Sequence, residues 1–413
     1  MQHTSARESL RLILICALCM VLALLPVIMF TGQWPTHHNP YNSYTLQACA
    51  WLEGRLDLGR DYAWLELAIV DGRYYVSFPP FPSYVMLPFA AMFGENTPDG
   101  LIALSVTLLS VVYACLLYNS VRRDGNGLMW VLFLLLGTGY LFICFTGYVW
   151  FIAQNLCFAL SLMAIFHALR GQGGVSLTCW ACAVGCRPMV AMYLPVLLYL
   201  LYRHEREKYP GFTPVGTVLR RWYWAIGPLL LGSSYMALNY LRFGSVLEFG
   251  HNYLPEFTRA EHGQFSVAYM AENLRALLRL PQWNGSEEPL TFYSANGMAF
   301  WLANPMYFSL AAAWACALVR RFRHQEKQHG VFLLVTLPLL SMIYGLILCA
   351  HRTLGGWHFG NRYLLDTLPW LYLGLLCWKA EQDDRFDRLN LPLLCFGVSL
   401  NILGTVAAFN HWI

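Results

Sequence analysis

"GVSLTCWACAVGCRPMVAMYLPVLLYLLY", residues 174–202, decides how the chain is threaded. As one straight helix, at ~1.5 Å per residue, it would run to ~44 Å, well past the ~30 Å hydrocarbon core of a bilayer. Cys186-Arg187-Pro188 interrupts its middle, Arg170 precedes it, and Arg203, Arg206 and Lys208 follow it. Two short helices joined as a hairpin fit these facts, with both charged ends on one side and Arg187 near the turn.

The rest of the chain is read outward from that hairpin. Its 413 residues are 57% hydrophobic and only 12% charged, against roughly a quarter charged in soluble domains. Apolar runs of spanning length recur at 10–30, 99–119, 128–147, 151–169, 222–241, 297–319, 330–350, 362–379 and 389–408. The first follows Arg7 and Arg11 and lacks a small-residue cleavage site, so it reads as a retained helix rather than a removed signal. Counting the hairpin as two, the sequence predicts an all-α polytopic membrane protein of about eleven transmembrane helices with a cytoplasmic N-terminus. That threading places Arg122/Arg123, Arg170, the 203–221 cluster, Arg320/Arg321/Arg323 and Arg385/Arg388 inside, together with Lys208, Lys327 and Lys379. A single span over 174–202 would throw one of the basic clusters outside.

Of the thirteen cysteines only Cys49 lies in a polar stretch, which argues against a disulfide framework. Cys179, Cys182 and Cys186 share one helical face among apolar neighbours and read as small-residue helix packing. No repeat or low-complexity tract divides the chain, so 1–413 reads as one membrane domain. Two long segments, 31–98 and 242–296, face outward and form a small extracytoplasmic cap. Within them 42–53 and 268–280 read as short amphipathic helices, and "LAIVDGRYYV" as a hairpin around Asp71-Gly72. The run 82–93 is too short to span and reads as an interfacial helix.

Four clusters could carry chemistry. The first, 31–77, holds His37, His38, Tyr41, Glu53, Asp57, Asp61, Glu66 and Asp71. A carboxylate there can act as general base on an acceptor hydroxyl, or the same carboxylates can pair locally with Arg55, Arg60 and Arg73. The second is Arg187, costly inside an apolar hairpin and suited to a phosphate. The third, "NYLRFGSVLEFGHNY" (239–253), leaves Arg242, Glu248 and His251 at a helix end, as a boundary site or as an internal Arg242–Glu248 pair. The fourth, "HRTLGGWHFGNRYLLDTLPW" (351–370), delivers His358, Asn361 and Arg362 to a helix start, an arrangement that favours anions. On the inner side "EQDDRFD" (381–387) resembles a metal-binding Asp-x-Asp pattern but reads as a solvated charged loop.

The stretches "YNSYTLQACAWLEGRLDL", "DGRYYVSFPPFPSYVMLP", "VGCRPMV", "YLRFGSVLEFG" and "GGWHFGNRYLLDTLP" occur in that order over nearly the whole chain. As an ordered set they resemble the GT-C superfamily, specifically bacterial membrane relatives of protein O-mannosyltransferases and aminoarabinose transferases. The resemblance implies an inverting glycosyltransferase of the plasma membrane and cell envelope, with its site facing outward. It would move one sugar from a polyprenyl-phosphate donor to a lipid-linked glycan, wall polymer or protein. It implies a catalytic carboxylate in the first outer loop, and basic residues holding the donor phosphate: Arg187, Arg362 and Arg73 here. His37, His38, Tyr41, Arg242, His251, His358 and Asn361 would contact substrate.

The chain departs from that pattern in two places. There is no Asp or Glu between Phe30 and Leu52, and Phe78 precedes the paired prolines where aminoarabinose-type relatives carry a basic residue. Either the base comes from Glu66 or Asp57, ranked first, or from Asp61, Glu53 or Asp71, or a histidine serves, or the chain lacks transferase activity. No cofactor is called for, although a divalent metal is compatible with these carboxylates. The partners are the lipid donor, the acceptor and membrane lipids, with no nucleic acid. A carrier or flippase for a polyprenyl-linked glycan, or a scaffold in its assembly, is the alternative; an ion channel would need a charged ring or filter motif.

Overall fold

The computed structural model describes residues 6–122, 124–282, 292, 297–323, 331–379 and 384–413. Arg123, Lys327 and part of the 242–296 segment therefore lie outside the described residues. Among those described, eighteen α-helices and one two-stranded sheet form the fold. Five helices are long and apolar enough to cross a membrane: Ala6–Thr31, Asp99–Val121, Val149–Leu169, Val331–Ala350 and Phe386–Phe409. The protein is an integral membrane protein.

Several expected spans are broken helices. The 174–202 run is one of them, with a helix over Gly173–Val184, a 3-10 turn over Pro188–Tyr193 and a second helix over Leu194–Lys208. Proline at 188 removes a backbone donor and disfavours helical geometry at Arg187, which is extended at φ −141°, ψ 96°. The 128–147 run is interrupted between Gly127–Leu135 and Tyr140–Ile143, and the 297–319 run between Phe300–Ala303 and Met306–Phe322. In each break a polar group finds a specific partner; Asn304 Oδ1 accepts the Gly139 N–H at 2.9 Å.

By internal contacts the chain forms two compact units. One comprises Met1–Gly32, Leu108–Ile143 and Tyr269–Ile413; the other comprises Gln33–Thr107 and Cys144–Ala268. Both units are discontinuous in sequence. The second contains the expected outer helix Ser43–Leu52 and the hairpin of β1 (Leu67–Val70) and β2 (Arg73–Val76). Asp71 and Gly72 both sit at positive φ, 51° and 72°, and Val70 pairs with Arg73. This is the turn that matches the twist of a two-residue hairpin. The 82–93 run is a helix, Phe81–Phe93. Its first amide donates to Gly185 O at 3.1 Å, at the end of Gly173–Val184.

The first unit is pinned by a buried ionic cluster. Lys379 donates to Asp124 Oδ2 at 2.9 Å and to Asp387 Oδ2 at 2.5 Å. Arg122 also reaches Asp124, at 3.0 Å, and the Trp130 indole donates to Asp387 Oδ1 at 3.2 Å. The end of "EQDDRFD" is thus not solvated: Asp387 is buried inside the helix Asp384–Phe409 because a cation and an indole N–H satisfy it, while 381–383 lie outside the described residues. Burial alone would raise the Asp124 carboxyl. Hydrogen bonds from Tyr118, Lys379 and Arg122 outweigh it and bring the pKa from 3.8 to about 2.

Two expected outcomes follow from this cluster. Lys379→Met leaves the buried Asp387 carboxylate without its cation and beside Asp124, lowering stability by about 3–5 kcal/mol, whereas Lys379→Met with Asp387→Asn is less damaging. Since the Asp124 pKa is depressed, its contribution is complete above pH 3.8 and is lost as the pH falls toward 2. Thermal midpoints of the detergent-solubilised variants check both.

Candidate functional site

In the second unit the decisive residue is one that the sequence reading passed over. Asp99 opens the helix Asp99–Val121 and is fully buried. Its carboxylate accepts the Asn39 N–H at 3.2 and 3.0 Å and the Asn42 side-chain amide at 3.1 Å. His38 Nδ1 lies 2.9 Å from Asp99 Oδ2. The first turn of a helix favours an anion at this position. Gly147 closes the remaining side; a β-carbon there would come within 2.1 Å of Asp99 Oδ1. The loop "THHNPYNSY", which lacks a carboxylate of its own, is therefore supplied with one from Asp99.

Asn42 links this carboxylate to the rest of the site. It caps the helix Ser43–Leu52, accepting from the Tyr44 and Thr45 amides at 3.1 and 3.3 Å, while its amide nitrogen holds Asp99. Two residues on, the buried Tyr44 phenol is pushed well above its ordinary value by burial and by Cys186, and the Arg187 charge acts in opposition. Arg187 is partly exposed at the break after Gly173–Val184. The start of Ser43–Leu52 thus holds the Asp99 carboxylate through Asn42, and its Tyr44 lies within electrostatic reach of Arg187.

An aromatic shelf flanks the loop. Tyr41 stacks on Tyr148 with centroids 5.4 Å apart, and Tyr148 on Trp150 at 6.3 Å. The Trp150 indole N–H donates to Glu66 Oε2 at 3.0 Å, and the Trp64 indole to Pro40 O at 3.1 Å. Tyr41, Tyr148 and Trp150 are each partly exposed, and Glu66 is exposed rather than sheltered beneath the aliphatic run that follows it. Several hydroxyls around the site, Ser43 Oγ, Thr45 Oγ1 and Thr146 Oγ1, are buried with no hydrogen-bond partner among the described residues. Buried polar groups are ordinarily paired, so these three hydroxyls are an unmet hydrogen-bonding demand within the unit.

The other first-loop carboxylates are engaged locally or lie in solvent. Asp57 Oδ1 accepts the Gly59 N–H at 2.8 Å, Glu53 pairs with Arg55, Asp61 is exposed and Asp71 forms the hairpin turn. Arg73 and His37 are exposed. Arg242 is buried and ties the end of Ile226–Phe243 to β2 through Val76 O at 3.0 Å, and to Asn239 Oδ1 at 3.0 Å. Glu248 instead accepts from Gly250 N–H at 2.6 Å and from Asn252. His251 packs edge-on against Phe78 at 5.4 Å, and Phe78 in turn lies 6.1 Å from Tyr44.

The fourth cluster belongs to the first unit. Arg362 is buried, donates to Gly355 O at 2.8 Å and lies over the Tyr363 ring at 4.5 Å. The helix expected from 362 begins as a 3-10 run, Arg362–Thr367, whose Leu364 amide is capped by Asn361 at 3.4 Å. His358 is fully buried, and burial, then the Arg362 charge, lower its pKa from 6.5 to about 3. Among the described residues no group of three or more His, Cys, Asp or Glu side chains is gathered as for a metal.

Comparison with protein-family models, with curated proteins and with solved structures finds no match to this chain. The functional reading rests on the chemistry above.

The depressed His358 pKa gives a signed expectation. Between pH 6.5 and about 3 the unfolded chain binds a proton that the folded chain excludes, so stability falls as the pH drops through that window. His358→Gln removes that part of the slope when thermal midpoints are compared across the window; parallel curves for the two proteins would refute it.

Proposed function

We propose that the protein is an outward-facing membrane glycosyltransferase that moves a single sugar, with inversion, from a polyprenyl-phosphate donor to an acceptor hydroxyl. The acceptor classes are those of the GT-C relatives that the sequence resembles: a lipid-linked glycan, a wall polymer or a protein. One observation carries the reading. The start of the helix Ser43–Leu52 joins a buried carboxylate, through Asn42, to the surroundings of a partly exposed arginine, through Tyr44. A transferase acting on a phosphate-linked sugar needs a base at the attacking hydroxyl, which a buried carboxylate can orient and compensate, and a cation at the leaving phosphate.

The remaining groups fit the same chemistry. Arg187 takes the donor phosphate, for which a planar guanidinium is well matched. The shelf of Tyr41, Tyr148 and Trp150 offers flat apolar faces to a sugar ring, with Glu66 at its edge. Since the lipid phosphate is already a competent leaving group, the protein mainly positions reactants and neutralises charge.

The test uses membrane vesicles that retain their endogenous acceptors, supplied with radiolabelled polyprenyl-phosphate hexoses. Label should pass covalently to an acceptor. Arg187→Ala, inserted normally, should lower transfer about 10–100-fold, as expected for losing a charged hydrogen bond. Trp150→Ala should chiefly raise the donor KM. Label that crosses the bilayer still attached to polyprenyl phosphate, with none transferred, identifies a carrier and refutes the proposal.

A further inference from the structure

We infer that His38, set by the buried carboxylate of Asp99, is the base that takes the proton from the acceptor hydroxyl. This rests on the transferase reading and goes further by naming the group that performs its proton transfer. The sequence leaves a histidine open as the base but not this pairing: His38 and Asp99 are 61 positions apart, 99 − 38, and Asp99 stands at the head of an apolar span.

The burial of each group separates their roles. Asp99 is fully buried and cannot meet an acceptor. His38 has its Nδ1 buried against that carboxylate, yet 21% of its side chain remains exposed, so the accessible part of the ring lies away from Nδ1. Nδ1 lies 2.9 Å from the carboxylate without hydrogen-bond alignment. A small rotation of the ring would point an Nδ1 proton at it, favouring the tautomer that carries the proton there. Nε2 then holds the lone pair. The same carboxylate is fixed by the Asn39 amide, the Asn42 side chain and the close approach of Gly147, so it cannot swing away from the ring. The other carboxylates of the first outer segment lack this combination. Asp57 is committed to the Gly59 turn, Glu53 to Arg55 and Glu66 to Trp150, while Asp61 is exposed and Asp71 sits at the tip of the hairpin.

In the step itself the acceptor oxygen attacks the anomeric carbon of the donor sugar while its proton passes to His38 Nε2. The bond from that carbon to the phosphate oxygen breaks, and its electron pair leaves with the polyprenyl phosphate. The imidazolium so formed is neutralised by Asp99, which never touches substrate and is a positioning residue. The proton is later released to solvent from the exposed part of the ring. This is the division of labour in which a carboxylate orients and compensates a histidine base without itself being protonated.

The experiment uses full-length protein in the same vesicles with the same radiolabelled polyprenyl-phosphate hexoses. His38→Ala should lower kcat about 10²–10⁴-fold, the usual share of a general base, with the donor KM unchanged. Added imidazole should restore part of the rate to that variant alone. Asp99→Asn should lower kcat in the wild-type background and cost nothing further in His38→Ala, whereas a purely structural Asp99 would cost the same in both. If His38→Ala fails to accumulate, His38→Gln, which keeps a polar side chain of similar reach, carries the same kinetic test. A wild type that transfers while the His38 variants keep its rate overturns the base assignment alone. Additive losses overturn the positioning role of Asp99. A wild type that transfers nothing overturns the transferase reading and this assignment with it.

Discussion

A buried carboxylate sets the geometry of the second unit. Removing a carboxylate from water costs several kcal/mol unless donors surround it, and Asp99 has no exposure at all. Its donors are therefore obligatory, and each fixes another part of the unit. The Asn39 amide sets the loop, and Asn39 Oδ1 then takes the Tyr41 N–H at 2.9 Å. Tyr41 O receives the first amide of Val149–Leu169 at 3.2 Å, next to the Tyr148 ring on which Tyr41 stacks. Asn42 caps Ser43–Leu52 on its other side. Two helix starts and the aromatic shelf are consequences of satisfying one charge.

What could be read from the sequence was whatever is decided locally. Asp71-Gly72 dictates its own turn, Pro188 breaks the apolar run beside Arg187, and the short outer helices follow from length and pattern. The break was legible; five helices of clear spanning length are fewer than the apolar runs suggest, because breaks at Asn304–Pro305 and between Leu135 and Tyr140 leave no periodic signature. Asp99 escaped notice for a different reason. Its partners lie some 60 positions away, and periodicity carries no information about such a pairing. The available signal was a lone carboxylate at the head of an apolar span, which is costly there and calls for partners. Arg242 shows the same limit: the nearby Glu248 looked like its partner, but the hairpin brings Val76 O closer to hand.

The two cation sites differ in exposure: Arg362 is buried and Arg187 is partly exposed. In the first unit Arg362 is committed to Gly355 and the adjacent Tyr363 ring, Asn361 has capped the following turn, and His358 is held neutral by burial. These groups fasten the glycine-rich approach to the helix Leu368–Trp378. In the second unit several of the site's groups face solvent. Arg187, His38 and the shelf aromatics each keep an accessible surface. The distinction is one of exposure rather than residue type, which is why the two clusters look alike on the page of sequence.

The discontinuity of the units has a consequence for biogenesis. Every segment of the second unit precedes Tyr269, so its carboxylate, its cap and its aromatic shelf can assemble while the ribosome is still at work. The first unit has no such freedom. Its helix Ala6–Thr31 emerges before Asp384–Phe409, against which it packs, and it also packs against Gly127–Leu135. During translation that helix must wait in the bilayer without one of its neighbours, and removal of Asp384–Phe409 should strip it of that contact while leaving the residues of the second unit's site in place.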